Sequence, residues 1–270
     1  MIRGMLLIAA FLAITGVARA ETTSAWAGDG SSAIRLISGR APEADGSSIV
    51  GIEIRLQPGW KTYWREPGES GIPPRFDWAG SENLKKADVL FPAPKRFKEG
   101  DSWTVGYDRS VVLPVRLIPE DPARPVRLAL SMDYAVCEKL CVPAHGQVHL
   151  QRGPQDAVDR YTAANIEKSL KRLPRKATLD SSDVPSVSVN RADNGALIIA
   201  VRGDGEADLF AHGDGRWSPP LPIFKKEDAE GRRLFYVKTN KAPAGASLSL
   251  VAVSGETASE IVLDARTSSP

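Results

Sequence analysis

From Ile34 to about Leu150 the chain alternates between apolar and polar positions. In "SSIVGIEIRLQPGW", Val50, Ile52, Ile54 and Leu56 fall on one side, with Ile49, Gly51, Glu53 and Arg55 on the other. "SVVLPVRLIP" and "PVRLALSMDYAV" repeat the pattern, the latter placing Val126, Leu128, Leu130 and Met132 together. Period-two alternation over short runs predicts half-buried strands. Gly and Pro punctuate the gaps at "QPGW", "EPGESGIPP", "FPAPK" and "IPEDPARP". Such breaks imply an antiparallel sandwich or barrel.

The period changes over 155–173, "QDAVDRYTAANIEKSLKRL". Val158, Tyr161, Ile166, Leu170 and Leu173 fall near helical spacing, and no Gly or Pro interrupts them. Asp156 and Asp159 lie early, and Lys168, Lys171 and Arg172 late, a polarity that suits the helix dipole. Pro174 stops the run. Beyond it, "SVSVNRADNGALIIAVRG" predicts a hairpin turning at Asn194-Gly195. "RLFYVKTN", "ASLSLVAVS" and "SEIVLDA" predict further strands. The expected order is a domain at 21–153, a linker helix at 154–176 and a second, smaller β-sandwich at 177–270.

Residues 1–20 stand apart. Arg3 precedes the apolar run "MLLIAAFLAITGV", and Ala18 and Ala20 supply a small-residue cleavage site. That predicts a secretory signal peptide cleaved after Ala20. No later apolar run reaches the roughly 18 residues of a membrane span, so a soluble, exported chain is expected. Without Arg3 and Arg19, the 35 Lys and Arg fall to 33, matching the 33 Asp and Glu. A balanced charge argues against a nucleic-acid binder.

Export changes the meaning of Cys137 and Cys141, the two cysteines of the chain, which stand in "YAVCEKLCVPAHG". Two cysteines are too few for a disulfide scaffold. A crosslink closing so short a loop stabilises little in the chain-entropy model. The pair sits where one strand ends and another begins, at a hairpin end that can bring two β-carbons together. Exchange chemistry needs an accessible thiolate; Lys139 favours one and Glu138 opposes it. An inert surface disulfide and a metal site stay open. Cys137, Cys141, His145 and His149 are spaced by four, and two thiolates with two imidazoles suit zinc or copper. Pro143 and Gly146 break the helix that would align them, and straight strands would spread them too far for one ion. Aromatics gather in loop-like stretches beside charges: Trp60, Tyr63, Trp64, Phe76 and Trp78, then Phe97, Trp103 and Tyr107. Several belong in the core; others can cover a reactive site. No serine–histidine–acid constellation or phosphate-binding glycine loop is evident.

"GWKTYWREPGESGIPPRFDW", "FPAPKRF", "GYDRSVVLPV" and "DYAVCEKLCVPA" together resemble the N-terminal periplasmic region of DsbD-type thiol:disulfide interchange proteins, closest to the ScsB-like branch. The resemblance covers roughly residues 30–152. It implies an all-β fold, with an immunoglobulin-like sandwich carrying the cysteine pair on a hairpin. It implies a periplasmic carrier that passes reducing equivalents between a membrane-embedded electron donor and thioredoxin-fold proteins, with no cofactor; because the sequence departs from the family pattern in showing no polytopic membrane region, that donor is expected on another polypeptide. It implies a cap loop shielding the pair, which by chain order is Phe97–Trp103. Glu99 and Asp101 then take the acidic roles, Trp103 or Phe97 the lid, and Tyr63 and Trp64 line the site. A non-catalytic envelope module with a structural disulfide, and a copper or zinc handler, are the alternatives.

Overall fold

The computed structural model describes residues 21–40, 42–153, 156, 158–182, 185–204 and 206–266. The expected signal peptide at 1–20 lies outside them. Among the described residues, no helix is long and apolar enough to cross a membrane.

The first part of the chain forms β1 (Ala27–Gly28), β2 (Ser32–Ser38), β3 (Ser48–Leu56), β4 (Lys61–Gly68), β5 (Arg75–Asp77) and β6 (Leu84–Val89). It continues through β7 (Lys95–Glu99), β8 (Ser102–Tyr107), β9 (Val111–Pro119), β10 (Val126–Cys137) and β11 (Cys141–Arg152). These make two facing sheets. One runs β1-β2-β3-β9-β6; the other runs β11-β10-β4-β8-β7, with β5 also paired to β10. All pairs in both are antiparallel. The alternation read from the sequence is the packing pattern. Val50, Ile52 and Ile54 of β3 meet Leu128, Leu130 and Met132 of β10 in one buried cluster, with Trp64 1% exposed among them. The fold is all-β.

One helix follows, α1 (Arg160–Leu170). It is shorter than the periodic run. Asp159 is its N-cap, accepting a 2.8 Å bond from the Thr162 amide, so the helix starts where that carboxylate satisfies an orphan N–H. It docks on the first sandwich. Ser169 donates to the Val112 carbonyl of β9, and Arg40 pairs with Glu167. Gly51, on the outer face of β3, makes room: a β-carbon there would meet Val112 Cγ1 at 2.7 Å and Ile166 Cγ1 at 3.1 Å. Val158 and Tyr161, which fit the apolar spacing, stay exposed.

The remaining strands are β12 (Arg175–Lys176), β13 (Ser186–Arg191), β14 (Leu197–Arg202), β15 (Asp208–Gly213), β16 (Ile223–Glu227), β17 (Arg233–Val237), β18 (Ser247–Ser254) and β19 (Thr257–Asp264). Two four-stranded sheets result, β12-β19-β18-β15 and β13-β14-β17-β16. Their inner faces bury a second apolar cluster that includes Leu197, Ile199, Leu209, Phe235 and Leu250. The β13–β14 hairpin turns at Asn194-Gly195, where Gly195 takes a φ of +80°.

Candidate functional site

Strand parity builds the site. Cys137 is the last residue of β10, paired in register with Cys141 across a three-residue turn and with Lys61 of β4 on its other side. Successive side chains of a strand point to opposite faces. Val136, Thr62 and Trp64 therefore face inward, while Cys137, Ala135, Lys61 and Tyr63 share the outer face of the sheet. Tyr63 pairs with Gly106 of β8. A β-carbon on Gly106 would lie 2.0 Å from the Thr62 carbonyl oxygen, so only glycine lets β8 run this close beneath Tyr63. Thr104 of β8 pairs with Phe97 and Ser102 with Glu99, so β7 carries Phe97 and Glu99 to the same face.

The two sulfurs are free thiols 3.0 Å apart. Cys137 is 4% exposed, packed with Tyr63 and Ala135, whereas Cys141 is exposed. The Tyr63 hydroxyl lies 2.9 Å from Cys141 Sγ. Burial first, and then its bonds to the two cysteines, push that hydroxyl far above its ordinary range, so it stays protonated and able to donate. Burial also pushes the Cys137 thiol up to about 11. The contact with Cys141 and the Glu99 charge add to the rise, and the Tyr63 bond opposes it.

Glu99 closes the third side. A carboxylate oxygen and both sulfurs all lie within 4.8 Å of one another. Lys61 holds that carboxylate at 2.8 Å, and its ammonium also sits 5.2 Å from the centre of the Phe97 ring. The turn beyond β7 is Gly100-Asp101, with Asp101 exposed at its tip. Trp103 pairs with Lys98, so it takes the face opposite to Phe97 and Glu99. It is 40% exposed, and its backbone amide donates to Glu69 at 2.8 Å.

The structure thus brings together Cys137, Cys141, Tyr63 and Glu99, with Lys61 between Glu99 and the Phe97 ring. It does not bring Trp64 to the thiols. One residue beyond Tyr63, Trp64 turns inward and packs edge-on against Phe210 and His212. His145 and His149 stay apart as well. On extended β11 they sit about 13 and 27 Å along the strand from Cys141. His145 is paired with Asp133 at 2.8 Å instead. The four-ligand metal arrangement therefore does not form. The aromatic pattern alone does not point to Lys61, although its two-residue spacing from Tyr63 in a strand puts both on one face.

Replacing Tyr63 by Phe is expected to slow attack by Cys141 on a small disulfide about tenfold at neutral pH. It removes a hydrogen bond to the developing thiolate, of the charged kind. A stopped-flow rate equal to the parent's would exclude that role.

Residues 36–152 match the family model described as thiol:disulfide interchange protein DsbD, N-terminal. The chain also resembles the crystal structure of the N-terminal periplasmic domain of ScsB from Proteus mirabilis. The TM-score is 0.68 at 19% identity, covering 90% of this chain and 97% of that one. That likeness is one of fold. No curated protein matches the chain.

Proposed function

We propose, from the match of residues 36–152 to the DsbD N-terminal family model, that the chain is a thiol–disulfide carrier working through Cys137 and Cys141. It passes reducing equivalents between a membrane-embedded donor and thioredoxin-fold proteins of an exported, oxidising compartment. The observation that carries the reading is an exposed sulfur touching a buried one on one hairpin. Cys141 is the sulfur a partner can reach. Its thiolate attacks a partner disulfide, forms one S–S bond and expels one partner thiolate. Cys137 then loses its proton and attacks Cys141 Sγ. The Cys137–Cys141 disulfide forms, the mixed disulfide breaks, and the partner leaves as a dithiol with two electrons and two protons gained. Every step reverses, so a reduced donor recharges the pair through the same sulfur. Glu99 and Phe97 form the cover beside the thiols, with Lys61 holding Glu99.

A redox equilibrium with a thioredoxin-fold protein tests this. A reversible two-electron couple above about −300 mV is expected, since structural disulfides typically lie below that. A potential far below it, with no exchange with such a partner, overturns the reading in favour of a structural crosslink.

The close approach of Glu99 to both sulfurs favours one second reading, a thiophilic cation held by the reduced pair. Lys61 already occupies that carboxylate. Titrating the reduced protein with zinc and with cuprous ion decides the matter: binding weaker than micromolar removes it.

A further inference from the structure

We infer that the second sandwich braces the thiol site, through Arg96 and Trp64 as positioning residues. Asp208, Phe210 and His212 alternate along β15 and so share one face. That face meets the first sandwich. Arg96 of β7 grips Asp208 with both prongs of its guanidinium, Nε at 3.0 Å and Nη2 at 2.9 Å. Nη2 also donates to the Leu209 carbonyl at 2.9 Å, and the guanidinium lies 5.6 Å from the Phe210 ring centre. The Arg96 side chain is only 15% exposed. Planar, two-pronged pairing fixes direction as well as distance. On β4, Trp64 packs edge-on against Phe210 and His212, and His212 is held from β19 by Glu260 at 2.9 Å. Phe210 and Val251 of the second sandwich join the first sandwich's core.

The anchored residues are the immediate neighbours of the site residues. Arg96 precedes Phe97, three positions before Glu99, and Trp64 follows Tyr63. Each anchor faces away from the thiols while its neighbour faces them. Strand β15 therefore fixes, from the opposite face, both β7, which carries the cover, and β4, whose Tyr63 bonds Cys141. The inference deepens the exchange reading and rests on it for its purpose: the second sandwich sets how readily the cover leaves the pair.

The test compares full-length Arg96→Ala, Asp208→Asn, the double variant and Arg96→Lys. The readout is the rate at which the reduced thiols react with a small aromatic disulfide, with melting curves confirming the fold. Each of the first two should react about tenfold faster than the parent, and the double variant no faster than the faster single. Arg96→Lys keeps the charge, loses the fork and should fall between. The two single changes remove opposite charges, so an effect through charge alone would move the rates in opposite directions. Opposite shifts, or parent-like rates in folded Arg96→Lys and Asp208→Asn, overturn the brace. Failure of the parent to exchange with any thioredoxin-fold protein would instead overturn the function reading and leave this comparison standing.

Discussion

Serine at position 141 is expected to abolish disulfide exchange, while alanine at 137 permits one attack and then stalls. The asymmetry follows from burial. Cys137 is 4% exposed, under Tyr63 and beside Ala135, and cannot be reached by a bulky disulfide without opening the hairpin. Cys141 starts the outgoing strand, exposed beside Leu140, which is 79% exposed, and Val142, which is 39% exposed. A serine hydroxyl is not ionised near neutral pH, so Cys141→Ser should slow exchange by at least about a thousandfold. Cys137→Ala keeps the attacking sulfur and lacks the resolving one, so a one-to-one mixed disulfide should accumulate. Mass spectrometry of non-reduced samples distinguishes the two. A Cys141→Ser protein that traps partners as well as Cys137→Ala would reverse the assigned roles. If replacing both cysteines left partner binding and cellular phenotype unchanged, the chain would be a binding module with an inert crosslink.

Much of this site was legible in the sequence alone, because it rests on strand parity. The alternation in "IVGIEIRL" and "VRLALSM" named the inner face of the first sandwich. The same rule, applied to "WKTYW", separates Tyr63 from Trp64 and couples Tyr63 to Lys61. The Gly and Pro flanks of that stretch predict irregular backbone and so mask its alternation. It is in fact β4, with a register shift between Tyr63 and Gly68 where it pairs with β8. The expected cap loop divides in the same way. Phe97 and Glu99 share the sheet face of the thiols, whereas Trp103 pairs with Lys98 on the other face, an arrangement fixed only once the β7–β8 register is known. The helix was located by periodicity and charge polarity. Its docking partner was not, because the receiving feature is a missing side chain at Gly51. The brace on β15 lay furthest from reach. Arg96 and Asp208 are 112 positions apart, and no local pattern links them.

Resolution of the mixed disulfide should become faster as pH rises, and the reduced fold less stable. Both effects come from Cys137, which burial, the Cys141 contact and Glu99 lift from an ordinary 9.0 to about 11. At pH 7 only about one molecule in ten thousand carries its thiolate. Burial and Glu99 still raise the Cys137 thiol when Cys141 is tied to a partner, so release of a partner trapped on Cys141 should accelerate steadily with pH from neutral into the alkaline range. Glu99→Gln removes one cause of the rise and should shift that profile to lower pH. The stability effect has a definite sign. The fold favours the protonated thiol, so this contribution is complete below the unfolded value of about 9. It is lost as pH climbs through the folded value of about 11. The disulfide form has no such proton to lose. Melting temperatures of the two forms should therefore diverge above about pH 9, the reduced one falling faster. Parallel curves would mean that Cys137 titrates in the fold as it does in the unfolded chain. The kinetic profile would then level off near the ordinary thiol value of 9.0, because the same proton controls both.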